Sequence, residues 1–132
     1  MKQIEVVAGI IFNDSRSEVL LALRKPEQHQ GDRWEFPGGK LEQGETQEAG
    51  LARELSEEIG IEVTQCSSRT VIEHQYPDKS VRLHFWNVTR FSQQPQGKEG
   101  QQLRWVRLDA LQQLSFPDAN QSIVDMLSAD CK

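Results

Sequence analysis

Glu54, Glu57 and Glu58 are spaced so that a helix would bring all three onto one stripe, because residues three and four apart are neighbours on a helix surface. Like charges at that spacing oppose the helix by about 0.2–0.5 kcal/mol per pair. Only Arg53, four residues before Glu57, offsets them locally. A sequence keeps such a conflict mainly where a site requires it. Upstream lie Glu42, Glu45 and Glu48, so residues 40–58 hold six acids against Lys40 and Arg53. In isolation a Glu-rich helix reads as a solvated face. Here it follows a Gly38-Gly39 turn, and clustered carboxylates with little cationic compensation suit a hard divalent cation such as Mg²⁺, which takes oxygen ligands and keeps several waters.

The elements that must position these acids can be read from the same pattern. Leu51, Leu55 and Ile59 recur every four residues, which predicts a helix over Gln47–Ile59 with Gly60 placed to end it. Gly50 costs that helix up to about 1 kcal/mol relative to Ala. Residues 3–12 and 18–23 read as a hairpin-like pair of strands around the turn residues Asn13-Asp14-Ser15. Residues 34–36 form a short strand stopped by Pro37-Gly38-Gly39. Strands are expected at 69–76, 81–91 and 103–108, the first two joined by a hairpin at Pro77-Asp78-Lys79-Ser80. Residues 92–102 are loop by composition. A last helix is expected from about Asn120 to Leu127, with Ile123, Val124 and Leu127 inward. Trp34, Trp86 and Trp105 read as core, and His74 and His84 show no partner. The whole is one α/β domain spanning 1–132, with more strand than helix.

The 132 residues carry a net charge of −5. An acidic chain without a basic patch excludes nucleic acid as the partner, because that binding depends on Lys and Arg neutralising phosphates. Cys66 and Cys131 lie far apart with no metal-binding spacing, which fits a reducing cytosol. The opening MKQIEVVAGIIF is too short and too interrupted to span or be led across a membrane. A cytoplasmic monomer with a small-molecule ligand, and no membrane partner, is the expectation.

The string from Gly39 to Ile61, GKLEQGETQEAGLARELSEEIGI, resembles the signature of the Nudix hydrolases at every defined position. It reads Gly39, five residues, Glu45, seven residues, Arg53-Glu54-Leu55, one residue, Glu57-Glu58, one residue, Gly60-Ile61. The resemblance implies an α/β/α sandwich with a mixed β-sheet, residues 39–61 forming loop–helix–loop. It also implies Mg²⁺- or Mn²⁺-dependent hydrolysis of a nucleoside diphosphate linked to a further group. By that resemblance Glu57, Glu58 and the Gly38 carbonyl hold metal, Glu54 does so directly or through water and is the general base, and Arg53 orients it. Glu45 tethers the loop. A fold kept for binding alone would have lost some of these carboxylates, and none is missing.

The flanks resemble the MutT branch of that family, which removes oxidised guanine nucleotides from the precursor pool. The matching stretches are VAGII, WEFPGGK, YPDKS, GKEGQ and FPDAN. The branch converts 8-oxo-dGTP, and more weakly dGTP, to the monophosphate and pyrophosphate. Asn120 would read the purine, since a side-chain amide offers donor and acceptor together; its other reading is a cap for the last helix. Glu35, Phe36 and Pro37 match the strand edge that contacts base and sugar, although Phe36 reads equally well as core. Arg24 and His29 match positions near the nucleotide. Glu99 matches a carboxylate that approaches the metal from a loop. Lys79 stands where the branch has arginine, which leaves that contact open. Two alternatives remain: a Nudix pyrophosphohydrolase acting on CTP or a modified dCTP, and a nucleotide-binding sensor without turnover.

Overall fold

The computed structural model describes residues 2–27 and 31–130. Its strands are β1 (Lys2–Ile11), β2 (Glu18–Leu23), β3 (Trp34–Glu35), β4 (Gly38–Lys40), β5 (Glu62–Tyr76), β6 (Lys79–Ser92) and β7 (Leu103–Arg107). The helices are α1 (Gln47–Ile59) and α2 (Gln121–Asp130), with single 3₁₀ stretches at Leu108–Gln113 and Asp118–Asn120. A four-stranded mixed sheet runs β4-β1-β6-β5, with β1 parallel to β6 and its other pairs antiparallel. A three-stranded antiparallel sheet runs β3-β2-β7.

Strand β1 organises the layers. Successive side chains of a strand point to opposite faces, so Val7 and Ile11 meet Leu51, Leu55 and Ile59 of α1. Ala8 and Ile10 face the other way, onto Phe85 and the Ile123, Val124 and Leu127 side of α2. This is the expected α/β/α layering with a mixed sheet. Helix α1 starts where Thr46 Oγ1 accepts from the Ala49 amide at 3.1 Å, and it ends at Gly60 with φ of 71°. Gly50 admits the loop before the helix, because a Cβ there would fall 2.4 Å from Leu41 Cδ2.

Several sequence expectations are corrected. Residues 3–12 and 18–23 form no ladder with each other: an isolated bridge joins Phe12 to Val19, and β2 pairs in the second sheet. Gly38-Gly39 does not only stop a strand; with Lys40 it forms β4, antiparallel to β1. Phe36 lies beyond β3. Strand β5 begins at Glu62, where register shifts between Val63 and Thr70 break the two-residue alternation that would have revealed it. Leu108 opens a 3₁₀ stretch, and α2 begins after Asn120.

His84 does have a partner, since its Nε2 lies 2.7 Å from Glu5 Oε1. The His74 ring packs 4.5 Å from that of Tyr76. The three tryptophans pack partly buried at the margins of the two cores, and Trp86 Nε1 donates to Gln47 Oε1 at 3.0 Å. Among the described residues no helix is long and apolar enough to cross a membrane.

Leu55 is fully buried where α1 meets β1. Leu55→Ala should cost about 2–5 kcal/mol in urea unfolding, whereas Val71→Ala, on an exposed strand position, should stay within about 0.5 kcal/mol. Equal effects would contradict this account of the core.

Candidate active site

A cleft of about 380 Å³ opens on the β1 face that carries Ile4, Val6 and Ala8. The parallel register sets Ile4 beside Val81 and Val6 beside Leu83, so branched side chains from both strands floor its apolar half. Phe36, Tyr76, Pro117 and Ala119 close that half, and Asn120 is set among them. The opposite half is lined by Glu35, Glu54, Glu58 and Glu99, with Arg24 and Lys40 also on the wall.

Arg53 holds the acidic half in place. Its Nε and Nη2 donate to the two Glu45 oxygens at 2.7 and 2.9 Å, and Nη1 donates to Glu54 Oε1 at 2.8 Å and Glu57 Oε2 at 3.3 Å. Nη2 also reaches the Lys40 carbonyl at 3.2 Å. These bonds, with one from the Glu42 amide, hold the Glu45 carboxyl down at about 2 and raise the Arg53 pKa. The other Glu54 oxygen lies against the chain at Gly39, where a Cβ would fall 2.1 Å from Oε2. Glycine at 39 therefore makes room for that carboxylate.

Glu58 is buried, and its Oε2 accepts from the Gly38 amide at 3.2 Å. Burial, then the charge of Glu35, pushes its carboxyl up to about 8; Glu99 and Glu54 add to the rise and the Gly38 amide opposes it. Glu35 is raised too, mainly by burial, although Arg24 Nη1 lies 2.6 Å from its Oε1. Glu57 is not on the cleft wall: its side chain is 60% exposed and turned to Arg53.

Four carboxylates crowd the acidic half, and every donor there is oxygen, which fits a hard divalent cation. Buried Glu58 facing Glu35, Glu54 and Glu99 is a deficit of positive charge that such an ion would fill. Among the described residues no three acidic, histidine or cysteine side chains are already gathered closely enough to enclose a metal. Arg53 engages Glu54 and Glu57 instead.

Asn120 ends the 3₁₀ stretch before α2 and is 6% exposed. Among the described residues its side-chain amide has no hydrogen-bond partner, so it does not cap the helix. The turn beneath it is anchored by the Asn120 amide on the Pro117 carbonyl at 2.9 Å and by the Ala119 amide on the Tyr76 hydroxyl. Lys79 Nζ sits 5.7 Å over the Tyr76 ring. Phe36 serves both readings, stacking on Phe116 at 5.9 Å while lining the cleft. Pro37 is buried off the wall, its carbonyl accepting from the Gly9 amide at 2.8 Å. His29 lies outside the described residues.

Sequence reasoning missed Tyr76, Lys40 and Gln101. Tyr76 could have been found as the last residue before the hairpin turn. Gln101 ends the matching stretch GKEGQ, but nothing local marks its role, because its partners are backbone groups: its Nε2 donates to the Glu58 carbonyl at 3.1 Å, and its Oε1 accepts from the Glu99 amide at 2.9 Å.

The depressed Glu45 carboxyl has a consequence for stability. A folded pKa of about 2 against an ordinary 4.5 stabilises the fold fully above the ordinary value, and that stabilisation is lost as pH falls through the interval. Unfolding followed between about pH 5 and pH 2 should show a steep loss that Glu45→Gln flattens. An unchanged slope would mean that the Arg53–Glu45 pair does not hold the loop.

The NUDIX domain family model matches residues 7–126. The 8-oxo-dGTP diphosphatase of Escherichia coli K12 is 39% identical over 127 residues, covering 96% of this chain and 98% of that protein. The CTP pyrophosphohydrolase of the same organism is 36% identical over 129 residues, covering 98% and 94%. A solved structure from work on MutT of Aliivibrio salmonicida and Vibrio cholerae superposes with a TM-score of 0.85 at 43% identity, covering 98% of this chain and 99% of that one. The matched span contains the loop–helix–loop of residues 39–61 with its carboxylates bound as described, and the chain therefore belongs to the NUDIX domain family and is a Nudix hydrolase.

Proposed function

We propose that this Nudix hydrolase is an Mg²⁺-dependent nucleoside triphosphate pyrophosphohydrolase that converts 8-oxo-dGTP, and more weakly dGTP, to the monophosphate and pyrophosphate. The observation that carries this reading is the joining of two unlike halves in one cleft. An apolar half with the buried Asn120 amide on its wall suits a purine, and an acidic half suits metal-bound phosphates. Asn120 would read the O6 and N7–H edge of the oxidised base with its acceptor and donor. Phe36 would pack beside the base. The Escherichia coli relative of that name supports the reading.

Glu58, Glu54 and the Gly38 carbonyl would hold the cation, with Glu99 from the loop and with Glu57 once it exchanges Arg53 for metal. When bound, the ion neutralises phosphate oxygens and acidifies a water. Glu54 would take that water's proton as its oxygen bonds to phosphorus and the pyrophosphate leaves. Arg53 keeps the Glu54 carboxylate aimed. Arg24, beside Glu35, and Lys79 offer cations near the substrate. The second reading, CTP or a modified dCTP as substrate, is favoured by the CTP pyrophosphohydrolase relative.

The deciding assay separates products formed with Mg²⁺ from 8-oxo-dGTP, dGTP, CTP and 5-methyl-dCTP. Preference for 8-oxo-dGTP with release of pyrophosphate is expected. Asn120→Ala should lower kcat/KM for 8-oxo-dGTP by about ten-fold or more, the weight of about one to three kcal/mol for unpaired buried polar groups, and spare the pyrimidines. Preference for CTP, or an equal loss on all nucleotides, would reject base reading by Asn120. Tight nucleotide binding without turnover would instead favour a sensor.

Glycines 38 and 39 separate fold from chemistry. A Cβ on Gly38 would meet the Val7 carbonyl oxygen at 2.0 Å, a backbone atom that cannot give, whereas the nearest atoms to one on Gly39 belong to the end of the Glu54 side chain. Gly38→Ala should lower the melting temperature. Gly39→Ala should leave it nearly unchanged while kcat falls at least ten-fold through displacement of the base. Full activity in Gly39→Ala would remove Glu54 from the proposed role.

A further inference from the structure

The last carbonyls of a helix have no partner within it. In α1 the Gly60 amide serves Ser56, while the carbonyls of Glu58 and Ile59 are served from a distant loop. The Gln96 amide donates to the Ile59 carbonyl at 2.9 Å, and the Lys98 amide donates to the Glu58 carbonyl at 3.1 Å. A turn closed by the Gly100 amide on the Gly97 carbonyl at 3.0 Å then reverses the chain. Gly100 has φ of 82°, and a Cβ on Gly97 would fall 2.0 Å from the Gln101 carbonyl oxygen, so glycine at both positions permits the reversal. The turn carries Glu99 at its tip and returns Gln101 to the helix end.

There the Gln101 amide closes a bridge. Its Nε2 donates to the carbonyl of Glu58 and its Oε1 accepts from the amide of Glu99, so one planar group joins the backbones of two residues whose carboxylates line the same cleft. These residues come from elements 41 positions apart, and a rigid amide leaves their backbones little freedom to separate. We infer that Gln101 is a positioning residue that fixes Glu99 relative to Glu58 and thereby sets the affinity of the acidic half for a divalent cation. In this role it acts through the two acids. The inference rests on the reading of the acidic half as a metal site.

The test is Mn²⁺ binding to the full chain without nucleotide, read as the loss of the free-ion electron paramagnetic resonance signal. Gln101→Met keeps the volume and removes both hydrogen bonds. Its dissociation constant for Mn²⁺ should rise about ten-fold, the lower end of what loss of a partner behind the metal ligands costs. Glu99→Gln should also weaken binding, and the double variant should bind no worse than Glu99→Gln alone, because Gln101 acts through that carboxylate. Should Gln101→Met fail to fold, Gln101→Asn, one carbon too short to span both partners, should give the same loss. A lowered melting temperature with unchanged Mn²⁺ affinity would make Gln101 a loop tether only, and additive losses would break the link to Glu99; either result overturns the inference while leaving the metal site standing. Absence of Mn²⁺ binding by the unaltered chain would overturn the metal reading itself, and the inference with it.

Discussion

The arrangement depends on one guanidinium. Arg53 is placed on α1, yet its five hydrogen bonds reach four groups that repel one another or lie in different segments: Glu45 and the Lys40 carbonyl before the helix, Glu54 beside it and Glu57 a turn later. A planar fork can serve several acceptors at fixed angles, which an ammonium cannot. It thus joins the loop of residues 40–46 to the helix and offsets the self-repulsion of the acids that the helix carries. Lysine at 53 would keep the charge and lose the fork.

A second constraint follows from the acids that Arg53 does not reach. Glu58 is buried, turned inward by its place beside Ile59 and held by the Gly38 amide. Burying a carboxyl near others costs free energy, and the raised titration of Glu58 expresses that cost. Strained electrostatics of this kind are common where a site is prepared for a ligand of opposite charge. Apolar packing on both faces of β1 supplies the stability that lets the chain hold such a group.

How far the sequence reveals this depends on the range of each interaction. Helix α1 was legible from end to end, because the Leu51, Leu55 and Ile59 spacing and the Gly60 stop are local. Strand β4 was not, since two glycines carry no strand preference and pair only because β1 lies beside them. The early part of β5 was hidden by its register shifts. The gathering of Glu54, Glu58, Glu35 and Asn120 on one cleft was expected from family resemblance and not from periodicity; their nearness arises from the crossing of β1, β6 and the turn before α2. The Glu5–His84 contact joins residues 79 apart across a parallel pair. No local pattern encodes such a pair, and the Gln101 bridge is hidden for the same reason.

The parallel pairing of β1 with β6 also bears on how the chain reaches this state. Val7, the strand residue that meets α1, lies beside His84, so the centre of the main sheet waits for a segment made much later in synthesis. Contacts between residues so distant in sequence close a long loop before they return any energy, and folds rich in them are slow. The hairpin of β5 and β6 is local and can form by itself, as can a nascent α1. β1 can pair early with β4 and α1, but its long parallel ladder waits for β6, and the cleft has no complete floor until that ladder forms. The β6 edge of an apolar strand is open during that interval, which makes Lys2–Ile11 a segment in need of protection while the protein is being made.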